Sequence, residues 1–362
     1  MKPLLVDLEF AWRGGQNQAL LLLKGLRDRG HAPELLTATG SALGERAQAT
    51  GIPVHFVSRG GFRLPAARQI RALLSTGKFD LLHANEAHAV SAAWFARAHA
   101  HVPFIISRRV GYPIGKSRIA RSRYAAAAKI IANSEWVAGQ AADSGAPWER
   151  ITVVYEGAEI PAPFTSQQKR DARQRWDLTN DQILLGCIGV LSPDKGQEFL
   201  IRALAELRPA FPAIKLILAG DGSQRDNLES LARQLDVAES VIFAGFVKDV
   251  ESVYAALDLF LLPSLFEALN NSLLAAMAYE IPSVAFDRGA LGEIIQDGVN
   301  GKLVPASDVA ALSGVIAALL NNADASRQLG LAGRLRVTEN FSADRMVDET
   351  LRSYHQILAA TP

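Results

Sequence analysis

Two α/β domains of similar size, each on a parallel sheet and facing one another, are the architecture this sequence predicts. Three observations carry the prediction: the length, an alternation of short apolar runs with amphipathic segments, and one break in that alternation near the middle. At 362 residues the chain exceeds an ordinary single domain and fits two of roughly 150–200 residues each.

Segments 4–8, 54–58, 81–83, 104–107, 130–132 and 152–155 read as strands, followed after the break by 183–190, 215–219, 241–244, 257–262 and 283–286. Several are near-continuous Ile, Val and Leu, the composition of a strand buried on both faces of a parallel sheet. Between them, segments 16–29, 198–208 and 228–235 have the amphipathic pattern of helices. Strands alternating with helices mean α/β domains. The break falls at 156–173, where Gly157, Pro161, Pro163 and the polar run SQQKRDARQR have the composition of a linker, with a helix reopening the pattern after it. The expected domains are therefore 1–160 and 161–341. In open α/β sheets ligands settle beyond the carboxyl ends of the strands, so two such edges facing each other make a cleft for two substrates.

Composition narrows the function. With 49% apolar residues, two ordinary cores are within reach, and a formal net charge of +1 argues against a general nucleic-acid binder. The single cysteine, Cys187, lies in an apolar run and reads as a small core residue. The N-terminus, MKPLLVDLEF, is interrupted by Asp7 and Glu9 and fails as a signal peptide. No window approaches the roughly 20 apolar residues of a membrane span. A soluble, cytoplasmic protein is the expectation.

The polar turns after the C-terminal strands carry the chemistry. GVLSPDKGQEFL places Gly189 before a Ser192-Pro193-Asp194 turn, then Lys195-Gly196 at a helix start, where free N–H groups and an ammonium suit an anion. AGDGSQRDNL sets Gly220 and Gly222 around Asp221, with Arg225 on the first helical turn. FAGF offers Gly245 and Phe246 to a flat base. LPSLFEALNNSLLAAMA carries Glu267, Asn270, Asn271 and Ser272 beside a helix N-terminus. That loop holds acceptors for sugar hydroxyls and donors for phosphate oxygens.

In that order the four motifs resemble the GT-B glycosyltransferases of family 4, whose two domains are Rossmann-like, and the likeness covers essentially the whole chain. WRGGQNQALLLLKGLRDRGH, FDLLHANEAHA and IISRRVGYP look like the N-terminal segments of bacterial cell-envelope members. NFSADRMVDETLRSYHQIL looks like the family's last helix, which adds 342–362 to the N-terminal domain. The resemblance implies a retaining, metal-independent hexosyltransferase that needs no cofactor beyond a nucleotide-sugar substrate. Lys195 would neutralise the donor diphosphate and Glu267 would contact the donor sugar. Ala268, Leu269, Asn270, Asn271 and Ser272 would line sugar and phosphates, Gly14 and Gly15 would approach the phosphates, and Phe246 would lie against the base. Three positions depart from the family's pattern: Val190 replaces an arginine, Ala275 a glutamate and Asn85 a histidine. No Asp-x-Asp triplet occurs.

On the acceptor side, no acidic residue lies between Glu86 and Glu135, a stretch holding Arg97, Arg108, Arg109, Lys116, Arg118, Arg121, Arg123 and Lys129. That one-sided charge suits an anionic or lipid-linked glycan, or the anionic surface of a membrane. Arg13, Asn85, His88, Arg108 and Arg109 are the expected acceptor-side residues, with Arg108 and Arg109 best placed to reach the cleft. A dehydrogenase is disfavoured because the first turn, RGGQNQ, lacks G-x-G-x-x-G spacing. A non-catalytic binder of nucleotide sugars or glycans and a nucleotide-sugar epimerase are the remaining alternatives.

Overall fold

The computed structural model describes residues 1–58, 63–115, 117–179 and 181–360. The chain divides into two compact units, Met1–Gly157 with Phe341–Pro362, and Ala158–Asn340.

In the first unit, β1 (Pro3–Asp7), α1 (Gly14–Asp28), β2 (Glu34–Ala38), α2 (Ala42–Ala49), β3 (Val54–Val57), α3 (Leu64–Leu74) and β4 (Leu81–Ala84) form the first half. The second half runs α4 (Ala87–Phe95), β5 (Phe104–Arg108), α5 (Arg118–Ala125), β6 (Lys129–Ala132), α6 (Glu135–Asp143) and β7 (Ile151–Val153). The seven strands pair in parallel in the order β3-β2-β1-β4-β5-β6-β7. Because strand side chains alternate between faces, Leu4, Val6, Leu36 and Leu82 enter one core with α3 and α4. Leu5, Leu35, Leu81 and Ile105 enter the opposite core with α1 and α2.

The second unit opens with α7 (Ser166–Arg175) and β8 (Ile183–Ile188), then α8 (Gln197–Leu207), β9 (Ile214–Ala219), α9 (Arg225–Gln234) and β10 (Val241–Gly245). It continues through α10 (Glu251–Ala256), β11 (Leu259–Leu262), α11 (Asn271–Ala278), β12 (Ser283–Phe286), α12 (Leu291–Ile294), β13 (Lys302–Val304), α13 (Val309–Leu320) and α14 (Ala323–Asn340). Its six strands are again parallel, in the order β10-β9-β8-β11-β12-β13.

The last helix, α15 (Ala343–Ala359), belongs to the first unit. Its buried stripe of Met346, Val347, Leu351, Tyr354 and Ile357 closes the core shared with α1. Burying each such side chain contributes about 1.5–3 kcal/mol, so this helix is integral to the unit. Gly25 is required where α1 meets α15: a Cβ there would lie 2.4 Å from Cγ2 of Val347.

Both sheets are the doubly wound α/β structure that the alternating pattern predicts. Two strands had escaped that pattern. β2, ELLTA, has only two strongly apolar residues, and β13 is three residues long. The polar run at 166–175 is not linker but helix α7, started by a capping box in which Thr165 and Gln168 satisfy each other's backbone N–H groups. Among the described residues no single helix is long and apolar enough to cross a membrane.

Candidate active site

Strand order locates the candidate site. In the second unit the chain winds outward from β8 in one direction and from β11 in the other, and the turns after these two strands carry Lys195 and Glu267. Nζ of Lys195 lies 2.8 Å from Oε2 of Glu267. The same carboxylate oxygen accepts from Nδ2 of Asn270 at 2.9 Å, and Asn270 Oδ1 caps α11 through the N–H of Leu273 at 2.8 Å. Glu267 is buried, whereas Lys195 keeps 23% of its side chain exposed.

Glycines explain how four turns, after β8, β9, β11 and β12, close around this pair. A Cβ on Gly196 would meet the carbonyl of Pro263 at 2.2 Å, and a Cβ on Gly289 would meet the carbonyl of Glu267 at 2.0 Å. Both glycines adopt a left-handed backbone (φ +64° and +58°) that other residues enter at a cost. The Leu265 N–H donates to Asp194 O, and the Ala290 N–H to Glu267 O. Gly220 and Gly222 are needed for a different reason: their Cβ atoms would fall 1.8 Å from Gly189 O and 2.3 Å from Leu191 O. The GDG turn therefore approaches the chain's own backbone. Gly189 differs, with nothing within 4 Å of its missing Cβ. Its surface stays open to a ligand.

The other expected donor residues divide by exposure. Phe246 is 81% exposed and follows Gly245, while Val190 is 56% exposed and its carbonyl accepts from Gln197. Arg225 packs over the Phe243 ring and pairs with Glu229 at 3.0 Å. Asp221 caps its own turn through the N–H of Gly222. Ala268 and Leu269 bury their side chains, and Asn271 and Ser272 form the half-buried first turn of α11. Behind the site, burial pushes the Cys187 thiol up to about 12, which keeps it an inert core group.

In the first unit the winding reverses between β1 and β4, and a buried polar network fills the ends of those strands. Asn85 Nδ2 donates to Asp7 Oδ2 (2.6 Å) and to Gly15 O (3.2 Å), and its Oδ1 accepts from Nη1 of Arg109 (2.5 Å). Arg109 pairs with buried Glu156 at 3.2 Å, and Gln16 Nε2 donates to Asp7 at 3.0 Å. Burial raises Asp7 from its ordinary value, opposed by the hydrogen bonds from Asn85 and Gln16, and lowers Arg109, opposed by the Glu156 and Asp7 charges. His83 is enclosed between Tyr354 Oη (2.6 Å) and Ser107 Oγ (2.7 Å); burial and the Arg109 charge hold it down at about 3.

This network holds three of the expected acceptor-side residues. Asn85 has committed its amide internally, which leaves it holding the Gly15 turn in place. Arg109 keeps 16% of its side chain exposed but is committed to the centre of the network, and Arg108 is buried, donating to the Tyr124 hydroxyl at 2.9 Å and to the Tyr112 carbonyl. An isolated buried cation is costly, and here Arg109 pairs with Glu156 and Arg108 with the Tyr124 hydroxyl. Arg13 remains exposed at the start of α1, and His88 is half-exposed near Glu9. Lys116 lies outside the described residues. Sequence reading missed Asp7, Gln16, Glu156 and Gly289. The carboxylate ending an apolar strand at Asp7 was the one available signal.

Two doubly wound parallel units with polar turns converging at a strand-order reversal are the GT-B type of glycosyltransferase. Residues 168–336 match the family described as glycosyl transferases group 1, and residues 12–160 match glycosyltransferase family 4. The chain is 30% identical to the lipopolysaccharide core biosynthesis glycosyltransferase LpsE of Rhizobium meliloti (strain 1021), over 75% of each chain. It is also 30% identical to EpsD of Bacillus subtilis (strain 168), a match spanning 58% of this chain and 55% of that one. HepE of Anabaena, solved in complex with UDP and glucose, superposes with a TM-score of 0.84 at 22% identity, covering 98% of this chain and 99% of its own. The chain belongs to the family 4 glycosyltransferases.

Proposed function

We propose that this protein transfers a hexosyl group from a nucleoside-diphosphate sugar to a glycan acceptor, with retention of anomeric configuration and without a metal ion. The observation that carries the reading is the Lys195–Glu267 pair, a cation and a carboxylate held 2.8 Å apart at the strand-order reversal of the second unit. The UDP and glucose bound by HepE are the kind of ligand this pair suits.

In this reading Lys195 faces the diphosphate and stabilises charge as the anomeric C–O bond breaks, the moment at which a fixed cation contributes most. Glu267, steadied by Asn270, accepts from donor-sugar hydroxyls and acts as a positioning group. The acceptor oxygen forms its bond to the anomeric carbon on the face the phosphate leaves, and its proton passes to the departing phosphate oxygen. Exposed Phe246 covers the base, and the open surface over Gly189 admits the phosphates.

The acceptor reading is an anionic or lipid-linked envelope glycan. It is supported by α5, where Arg118 and Arg121 are exposed together with Ile119, and by exposed Val110 and Tyr112 in the preceding loop. Basic and apolar side chains presented together suit an anionic membrane surface.

Titration calorimetry with UDP, GDP and their hexose conjugates tests donor binding. Following donor consumption by NMR, with and without EDTA, tests anomeric retention and the independence from metal. No heat with any nucleoside diphosphate ends the proposal.

A further inference from the structure

The second unit holds a cavity of about 360 Å³ at the amino ends of β8, β11 and β12, the edge of the sheet opposite to Lys195 and Glu267. Its walls are apolar, made by Leu257, Ile281 and Leu319 with Phe164 and Tyr279, whose rings stack at 4.2 Å. Four charged side chains stand among them: Asp258, Glu280, Lys169 and Arg327. The two acids have partners of their own. Asp258 pairs with Arg173 at 3.2 Å and accepts from the Leu184 N–H at 2.7 Å, and Glu280 pairs with Arg334 at 3.6 Å. Glu251, which accepts from the Tyr279 hydroxyl, lies outside the lining. Lys169 and Arg327 are exposed and have no ion-pair partner among the described residues.

We infer that this cavity binds a small amphiphilic anion, with an apolar body of about ten carbons ending in one carboxylate or phosphate head. Size sets the body. The volume falls within the range of small-molecule sites, roughly 300–1,000 Å³, and at roughly 30 Å³ for each water-sized group it holds about a dozen heavy atoms. Charge sets the head. With Asp258 and Glu280 already paired, two cations remain, and their long stems can lie along apolar surface while each charge meets a head group that stays in water. A sugar suits these walls poorly, since its hydroxyls would give up water and find few partners in return. A ligand here does not touch the donor turns: β8 runs six residues, about 20 Å, between this edge and the turn carrying Lys195.

The test is titration calorimetry of the full chain with decanoate and decyl phosphate, against decanol, decyltrimethylammonium and inorganic phosphate, with UDP titrated in parallel. Decanoate and decyl phosphate are expected to bind and to compete with each other. Decanol should bind several-fold more weakly, the scale of losing two exposed ion pairs, and neither inorganic phosphate nor the cation should displace decanoate. Lys169→Gln combined with Arg327→Gln should reduce decanoate to the affinity of decanol. Ala323→Trp, which adds a ring to the lining, should abolish binding. Both variants are checked for an unchanged melting temperature, and should the tryptophan unfold the chain, the charge variant at two exposed positions still decides. No decanoate binding, equal binding of decanol, or binding unaffected by the substitutions overturns the inference. So does displacement of decanoate by UDP, which would put it in the donor site. A chain that binds decanoate but no nucleoside diphosphate keeps this site and loses the donor reading instead.

Discussion

Nζ of Lys195 and Oε2 of Glu267 meet at 2.8 Å although 72 residues separate them in sequence. The ammonium is therefore already placed before a diphosphate arrives, and its carboxylate partner is fixed by Asn270. Replacing Lys195 by alanine is expected to cut turnover about 100-fold, the scale of losing one fixed transition-state donor. Donor KM should change less than kcat. Equal turnover in the variant and the parent, measured under saturating donor, would remove Lys195 from the chemistry.

Gly189 and Gly220 make a paired prediction. Gly189→Ala adds a methyl to open space and should leave the melting temperature within a degree or two while weakening nucleoside-diphosphate binding. Gly220→Ala drives a Cβ to within 1.8 Å of Gly189 O at φ +149° and should destabilise the unit by several kcal/mol, in the range of severe core and backbone lesions. Thermal melting with and without UDP separates the two cases. The reverse ranking would mean that the gap over Gly189 is not where the donor sits.

Tyr354 and His83 lock the last helix to the first sheet. Tyr354→Phe removes the hydroxyl and leaves His83 Nδ1 buried without that partner, a loss of about 1–3 kcal/mol. Urea unfolding should record it. A shift below 0.5 kcal/mol would show that another group satisfies the ring nitrogen.

Glu86 and His83 oppose one another in pH. Burial and the Asp7 charge push Glu86 up to about 7, overcoming the backbone N–H groups that it accepts. A carboxyl raised on folding contributes stability that is complete below about 4.5 and is lost as pH rises through 7. His83, held down at about 3, contributes stability present above about 6.5 and lost as pH falls below it. Between pH 4.5 and 6.5 the two slopes partly cancel. Calorimetric melting of Glu86→Gln should therefore show a gain over the parent that widens from pH 5 to 7.5. Parallel curves would mean that the carboxyl titrates normally.

On α5, Arg118→Glu combined with Arg121→Glu is expected to abolish sedimentation with anionic liposomes and to leave UDP binding intact. Binding to anionic vesicles that survives the charge reversal would place the membrane contact elsewhere.

Much of this was legible in the residues. The apolar runs located eleven of the strands because a strand buried on both faces has little choice of composition. Lys195 and Glu267 stood out because each follows an apolar run within a few residues of a helix start. The fates of Asn85, Arg108 and Arg109 were hidden, since a charged residue after a strand reads the same whether it turns outward or finds a buried carboxylate 47 residues further on, as Arg109 does in Glu156. Gly189 and Gly220 were equally alike in sequence. Only the distance to a neighbouring carbonyl tells a glycine kept for a ligand from one kept for the chain itself.

Gly157 backs onto Ala343, where a Cβ would lie 2.5 Å from the Ala343 Cα, and the rings of Tyr155 and Phe341 meet edge-on at 5.0 Å beside them. The second unit is thus an insertion that enters and leaves its host through one doorway. The half of the protein that is synthesised first is completed last, when α15 supplies the wall containing Tyr354. A nonsense codon or protease cut near residue 345 would therefore cripple the N-terminal half while sparing the C-terminal one.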